Sequence, residues 1–406
     1  MRRGRKAPGI LYNKEDAAMF KIQTLNNISP IIHESLSADM YTVSNEEPTP
    51  DAILVRSAAM HDMALPDSLL AIARAGAGVN NIPIDKCSEQ GIVVFNTPGA
   101  NANAVAELVM AGLLMASRDI AGGLAWVQEN KDQPDLGKLA EKKKSQFVGP
   151  ELRDKKLAVI GLGAIGALVA NAAAQGFGMQ VAGYDPYISV AHAWALSRAT
   201  HRADSMEDAL KDADYITIHI PLTDGTKGMI NAAFLNSLKP GARVLNFSRG
   251  ELADAEAVKA AIASGQIAAY VTDFSSPDLA GTPHVVCLPH LGASTPESEE
   301  RCAEMAAAEL RDYLERGVIR NSVNMPEISL GIPEGSRIIV IHKNVPGSVN
   351  GITALIAGRG INIQNMQNKS RGDNAVTVLE VAQHPDDTLL AALSKLKDVV
   401  RVRLVE

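Results

Sequence analysis

Cysteine is scarce: Cys87, Cys287 and Cys302 are the only three in 406 residues. The number is odd and no pair has CxxC spacing, so neither a disulfide framework nor a zinc site is expected. A basic excess is missing too. The chain sets 39 Lys and Arg against 46 Asp and Glu, for a formal charge of −7. That argues against nucleic acid as the main partner, because such proteins carry a basic stripe or patch. A local basic pocket for an anionic metabolite stays open. No apolar run reaches the ~18 residues of a membrane span. The longest, around residues 104–116 and 157–170, are broken by Glu107 or by glycines, so no membrane partner is expected. The arginines at positions 2 and 3 are not followed by the apolar stretch of an export signal. Residues 1–18 therefore read as a disordered basic tail of a cytoplasmic protein. No low-complexity segment or short-period repeat is visible, which excludes solenoids and propellers.

What is present is the composition of a folded chain, 46% hydrophobic and 21% charged, with a length that suggests two or three domains. From about residue 20 to 96, short apolar runs (53–55, 69–73, 92–95) alternate with helix-like stretches, which favours an α/β layer. Residues 104–118 read as a helix apolar nearly all round, hence buried between domains or subunits. Lys138 to Lys144 and Lys155–Lys156 read as a solvated surface loop. From residue 156 the alternation is clear, with strand-like runs at 157–160, 180–184, 215–220, 243–247, 267–272 and 285–288. Strands separated by helices predict a parallel, doubly wound sheet. A long helix over 295–316 follows, with Ser294 or Thr295 as cap and Pro296 in its first turn. Residues 326–335 read as a Pro- and Gly-rich linker, and 336–406 as a separate βαββαβ domain.

The strongest motif is Gly161-Leu162-Gly163-Ala164-Ile165-Gly166, directly after the strand at 157–160 and opening a helix. Its glycines suit a tight turn, the approach of a pyrophosphate, and close helix–strand packing, with the helix N-terminus facing the phosphates. Asp185 ends the next strand, 185 − 166 = 19 residues on. A carboxylate there accepts from both ribose hydroxyls and repels a 2′-phosphate, so NAD is expected over NADP. Three further residues stand on loops near strand ends: Arg249, Asp278 and His290. A guanidinium can grip a carboxylate, an imidazole can move an alcohol's proton, and a carboxylate can orient that imidazole.

The chain resembles the D-isomer-specific 2-hydroxyacid dehydrogenases from about Lys21 to its C-terminus. The resemblance rests on Ala75-Gly-Ala-Gly-Val-Asn-Asn-Ile82, Asn96-Thr-Pro-Gly-Ala-Asn101, Val105-Ala-Glu107, the glycine fingerprint, His219-Ile-Pro-Leu-Thr223, Asn246-Phe-Ser-Arg-Gly250 and Pro289-His-Leu-Gly-Ala-Ser-Thr295. It implies a Rossmann cofactor domain (104–299) inserted in a flavodoxin-like α/β substrate domain (19–103 and 300–325). It implies that Arg249 binds the substrate carboxylate and His290 is the acid/base. Asp278 stands where the family has the glutamate that hydrogen-bonds the histidine, and is one methylene shorter. Asp273 matches the aspartate beside the nicotinamide amide, and Ile165 and Thr223 join the cofactor contacts. Backbone N–H groups of Gly76, Gly78 and Val79 would hold the substrate carboxylate, and Arg56 a phosphate. The activity implied is NAD-dependent oxidation of a phosphorylated 2-hydroxy acid, D-3-phosphoglycerate to 3-phosphohydroxypyruvate, at the head of a serine route. The alternatives are a dehydrogenase of glyoxylate or 2-oxoglutarate type, or a noncatalytic NAD-sensing protein. The last block resembles an ACT regulatory domain. That likeness implies that His342, Asn344 and Asn362 hold an amino-acid effector, L-serine, between paired copies in a homodimer or homotetramer.

Overall fold

The computed structural model describes residues 19–333 and 335–405; the expected tail at 1–18 lies outside them. Three sheets organise the chain. The first is parallel, in the order β2-β1-β3-β4-β5: β1 (Phe20–Leu25), β2 (Tyr41–Ser44), β3 (Ala52–Val55), β4 (Ala71–Arg74) and β5 (Val93–Asn96). Every residue of β3 is buried, as expected of a strand covered on both faces of a parallel sheet. β1 buries only alternate residues, Phe20, Ile22 and Thr24, and so gives a weaker signal in the sequence.

The second sheet is parallel with seven strands, in the order β12-β11-β10-β9-β6-β7-β8. Its strands are β6 (Lys156–Ile160), β7 (Gln180–Tyr184), β8 (Thr200–Arg202), β9 (Tyr215–Ile218), β10 (Ala242–Asn246), β11 (Ile267–Thr272) and β12 (Val285–Cys287). The strand order reverses between β6 and β9. Ligands of doubly wound sheets bind in the crevice outside the strand C-termini at such a point. The helix Ala102–Ser117 buries Val105, Val109 and Leu113 in the same cluster as Val159, Val169 and Leu245. Its Ser117 hydroxyl lies 2.7 Å from the Tyr215 hydroxyl. It is therefore a core helix of this sheet, and its all-round apolarity is used there.

The lysine-rich stretch is exposed but helical, Leu136–Lys143. Leu136, Leu139 and Ala140 are its half-buried positions, an i, i+3, i+4 stripe that the lysines obscure.

The third sheet is antiparallel, in the order β14-β15-β13-β16: β13 (Ser336–Lys343), β14 (Ile363–Arg371), β15 (Asn374–Val381) and β16 (Val399–Val405). On one face Ile338, Val340 and Leu379 pack with Ile352, Ile356, Leu389 and Leu393 of the helices Ser348–Ala357 and Asp387–Ser394. On the other, Ile339, Ile341, Val376, Val378 and Val405 share a core with Ala303, Ala307, Leu310 and Leu314 of the helix Pro296–Arg316 and with the first sheet. Polar ties reinforce that face. Arg337 Nη1 donates to the Arg316 carbonyl (2.5 Å), Arg403 donates to the Tyr313 (2.8 Å) and Leu314 carbonyls, and Arg401 donates to the Leu69 carbonyl (2.6 Å). The segment expected as a linker is held near its start: Ile328 is buried and bridges to Ile319.

The chain divides into two compact units, Asn101–Ser298 around the second sheet, and the remainder with the first and third sheets. Among the described residues no single helix is long and apolar enough to cross a membrane, no cluster of three metal-ligating side chains occurs, and all three cysteines are free.

Candidate functional site

The glycine fingerprint forms the turn from β6 into the helix Ala164–Gly176. Gly161 has φ +91°, a left-handed backbone that favours glycine. A Cβ there would strike the His219 carbonyl, and one at Gly166 would strike the carbonyl of Gly161. Gly163 differs, since a Cβ there would meet nothing within 4 Å. The space beside Gly163 is thus open, while the other two glycines are fixed by close packing. A ligand phosphate can reach the free N–H groups of the helix start from that side. Asp185 holds the loop in shape. Its Oδ2 accepts from the Leu162 N–H and its Oδ1 from the Tyr187 N–H, both at 2.8 Å. Each carboxylate oxygen keeps a second lone pair for a ribose hydroxyl. Ile165 is half-buried in the first turn of that helix. Thr223 closes a turn across the crevice loop, donating its N–H to Thr226 Oγ1 (2.8 Å).

His219, on the loop after β9, is a group that sequence reading had noted only as part of a motif. Its Nε2 lies 2.9 Å from Thr217 Oγ1, and its buried Nδ1 has no partner among the described residues. Burial pulls its pKa down to about 4, so it is a neutral imidazole at physiological pH.

The catalytic candidates stand at the C-terminal ends of β10, β11 and β12. Arg249 is exposed. Its loop is pinned by Asn246 Nδ2 to the Arg249 carbonyl (2.9 Å) and by Ser248 Oγ to the Ile218 carbonyl (2.6 Å). Asp273 follows β11 and is 2% exposed. Its Oδ2 accepts from the Gly292 N–H at 3.1 Å, and its buried Oδ1 has no partner among the described residues. Burial raises its pKa, while the Gly292 N–H and the charges of His290 and Arg249 pull the other way. The His290 ring packs against Phe274, with centroids 4.7 Å apart. Asp273, His290 and Arg249 thus share one electrostatic neighbourhood.

Asp278 does not join them. The expected Asp278–His290 hydrogen bond is not formed. Leu279 is buried below a turn in which its N–H and that of Ala280 reach back to the Ser276 carbonyl. That leaves Asp278 exposed, and its charge acts on Lys259 instead. The carboxylate whose field meets His290 is Asp273.

In the other unit, Gly76 leaves β4 with φ +150°. The loop it begins is fixed by the Thr97 N–H to the Gly76 carbonyl (3.1 Å) and Asn96 Nδ2 to the Ala77 carbonyl (2.6 Å). Gly78 and Val79 are half-buried on it. The guanidinium of Arg74 lies over Gly76, where a Cβ would collide with it, and its Nε donates to the Arg56 carbonyl (3.0 Å). Arg56 itself pairs with Glu299 at 2.5 Å. Arg74 is a residue the sequence reading missed. The available signal was its position at the end of a buried apolar run, as with Arg56 after β3.

In the third sheet His342 is buried, with Nε2 2.8 Å from Thr377 Oγ1 and Nδ1 2.9 Å from the Lys343 carbonyl. Asn344, beside it, donates Nδ2 to the Gly372 carbonyl (3.1 Å). Asn362 is elsewhere. It precedes β14 where Ile363 pairs with Val381, whereas Lys343 pairs with Asn374 at the other end of the sheet. One chain therefore brings His342 and Asn344 together but not Asn362.

Comparison with known proteins agrees with this geometry. Residues 110–292 match the NAD-binding domain of the D-isomer specific 2-hydroxyacid dehydrogenases, and residues 338–401 match an AHAS small subunit-like ACT domain. A D-3-phosphoglycerate dehydrogenase of Escherichia coli (strain K12) is 31% identical over 353 residues, 84% of this chain and 82% of that protein. One of Mycobacterium tuberculosis (strain ATCC 25618 / H37Rv) is 37% identical over 287 residues, 68% of this chain. The chain spans about half, 52%, of that mycobacterial relative's length. Among solved structures, the NAD+-bound 3-phosphoglycerate dehydrogenase of Entamoeba histolytica aligns with a TM-score of 0.57 at 25% identity, over 76% of this chain and 99% of that one. With its fingerprint turn, its strand-end Arg and His, and a relative matched over most of both lengths, this chain belongs to the D-isomer specific 2-hydroxyacid dehydrogenase family.

Proposed function

We propose that the chain oxidises D-3-phosphoglycerate to 3-phosphohydroxypyruvate with NAD. The observation that carries the reading is the cluster of Arg249, Asp273 and His290 at the strand ends of a sheet that also bears the open Gly163 turn. In the other unit, taken by itself, the Arg74 guanidinium over Gly76 favours an anionic ligand. The names of the relatives agree. The open side of Gly163 and the unpartnered Oδ1 of Asp273 are what a bound dinucleotide requires: room for its pyrophosphate, and an acceptor for an amide N–H. Bound NAD would supply the acceptor for the hydride that leaves C2 of the substrate. His290 takes the hydroxyl proton as its general base. Arg249 fixes the carboxylate in two-pronged fashion and polarises the forming carbonyl. Asp273, buried beside His290, stabilises the imidazolium that forms, the role first expected of Asp278. His219, neutral and buried, gives the crevice a donor or acceptor without a charge.

The ACT-like block is read as a regulatory domain for an amino-acid effector, L-serine being the one implied by the reaction. Because Asn362 lies apart from His342 and Asn344, a site using all three needs two copies. A homo-oligomer also suits the helix Ile120–Glu129, which buries no residue and leaves Leu124 63% exposed. Initial rates with NADH settle the reading. Phosphohydroxypyruvate is expected to be reduced far faster than glyoxylate or 2-oxoglutarate, and millimolar L-serine is expected to slow that reaction. Equal rates with the unphosphorylated acids would overturn the substrate, and indifference to serine the effector.

Cofactor choice is the next expectation. Asp185 should disfavour NADPH by repelling its 2′-phosphate. Asp185→Ala should narrow the NADH/NADPH preference and, because it also frees the Leu162 N–H, weaken both dinucleotides. Ratios of kcat/KM for the two cofactors test this; a wild type that uses both equally would show that Asp185 has no such role.

A further inference from the structure

Outside the site described above, a cavity of about 180 Å3 opens between the helix Pro296–Arg316 and the segment that follows it. The helix contributes Met305, Ala308, Glu309 and Asp312, spaced i, i+3, i+4 and i+7 so that they share one face. Val318, Arg320 and Asn321 close it from the other side. Glu309 is the unusual member. It is only 8% exposed, its Oε1 accepts from Asn321 Nδ2 at 2.7 Å, and its buried Oε2 has no hydrogen-bond partner among the described residues. Native proteins rarely leave a buried carboxyl oxygen unpaired, because a polar group taken out of water without a partner is costly. Asp312 lies one turn away and ion-pairs with Arg311 and Arg316. Arg320 is exposed and forms no ion pair among the described residues. Glu327 approaches from beyond Asn321, whose N–H reaches its Oε1 at 3.4 Å.

We propose that this cavity binds a small α-amino acid, its ammonium at Glu309 and Asp312 and its carboxylate at Arg320. The polar groups have the order a zwitterion needs: the Glu309 carboxyl and the Asp312 carboxylate on the helix face, and the Arg320 guanidinium, which forms no ion pair among the described residues, at the rim. Met305, Ala308 and Val318 supply an apolar wall for a short side chain. The volume excludes a nucleotide, since drug-sized ligands fill about 300–1,000 Å3. Burial, with the Asp312 charge acting in the same direction, pushes the Glu309 pKa up to about 8, so the group is largely protonated at neutral pH. An ammonium seated beside it favours the carboxylate and drives the proton off, so binding should release protons.

The test is calorimetric titration of the full chain at pH 7 with glycine, L-alanine and L-valine, in two buffers of different ionisation heat. Propionate and L-alanine methyl ester, each lacking one charge, serve as controls. We expect saturable binding of at least one amino acid with proton release, and weaker binding of both controls. Glu309→Gln, which keeps an acceptor for Asn321, should weaken binding about tenfold or more by removing a charged partner and should end the proton release. Arg320→Ala, at an exposed position that threatens the fold little, should weaken binding comparably. Asn344→Ala, at the ACT turn, should leave it unchanged. The proposal fails if no amino acid binds at millimolar concentration. It also fails if Glu309→Gln and Arg320→Ala bind as the wild type does, or if Asn344→Ala alone abolishes binding. None of these readouts depends on turnover, so the outcome is separate from the reaction proposed above.

Discussion

Replacing His290 with alanine is expected to cost about 10²–10⁴-fold in turnover, the usual worth of a positioned general acid or base. Affinity for NADH should be nearly unchanged. The ring stands at the end of β12, against Phe274 and within the field of Asp273, and makes no side-chain hydrogen bond among the described residues that the fold would lose. It is exposed, so its removal leaves no cavity. The loss should fall on kcat, since the proton moves only in the reaction, whereas KM reports mainly the grip of the arginines. Steady-state rates with NADH and phosphohydroxypyruvate, beside fluorescence titration of NADH, separate the two. Near-normal turnover would remove His290 from the mechanism.

The second large effect concerns two neighbouring glycines that should fail in different ways. Gly166→Ala places a methyl against the Gly161 carbonyl, a backbone atom that cannot rotate aside. Either the helix Ala164–Gly176 moves off β6 or the turn opens. The variant should be destabilised by about 2–4 kcal/mol, as overpacked and strained core sites are, and should bind NADH poorly. Gly163→Ala meets open space instead, at backbone angles of −67° and −162° that alanine tolerates. It should melt within a few degrees of the wild type yet lose NADH affinity about tenfold or more, because the methyl occupies the side from which the pyrophosphate approaches. Thermal melts and NADH titrations of both variants are the measurement. A Gly163→Ala enzyme with unaltered affinity would mean that the dinucleotide does not enter by that side.

Much of this was legible in the sequence. The parallel strands after residue 156 were, because a strand buried on both faces reads as a continuous apolar run. Leu157 to Ile160 does so, and Tyr215 to Ile218 does so but for Thr217. The fingerprint turn was legible because few residues fit it. β2 and β8 were not: they are short edge strands with half-exposed faces and little periodicity to detect. The contact expected between Asp278 and His290 is not made in the structure: Asp278 is exposed, on a loop whose next residue, Leu279, is buried. Charges from distant strands meet only once the chain is folded, so the link between Asp273 and His290 is absent from the sequence analysis, where Asp273 stands only as the aspartate beside the nicotinamide amide. Arg74 escaped because nothing in a sequence shows which glycine a guanidinium will cover.

The third sheet has a consequence for how the chain unfolds. Its face of Ile339, Ile341, Val376 and Val378 belongs to the same core as Phe20, Leu54 and Leu310. Its arginines bind carbonyls in the last turn of the helix Pro296–Arg316, where a positive charge also meets the negative end of the helix dipole. Cutting the chain near Pro326 would therefore expose an apolar surface and leave that helix end uncapped. Loss of activity in such a fragment would report a damaged scaffold as readily as a lost regulator. In amide hydrogen exchange, the protons of β13 and those of Ala306 to Leu314 should open together as one cooperative unit, slowly and with a common free energy, although more than twenty residues separate them along the chain.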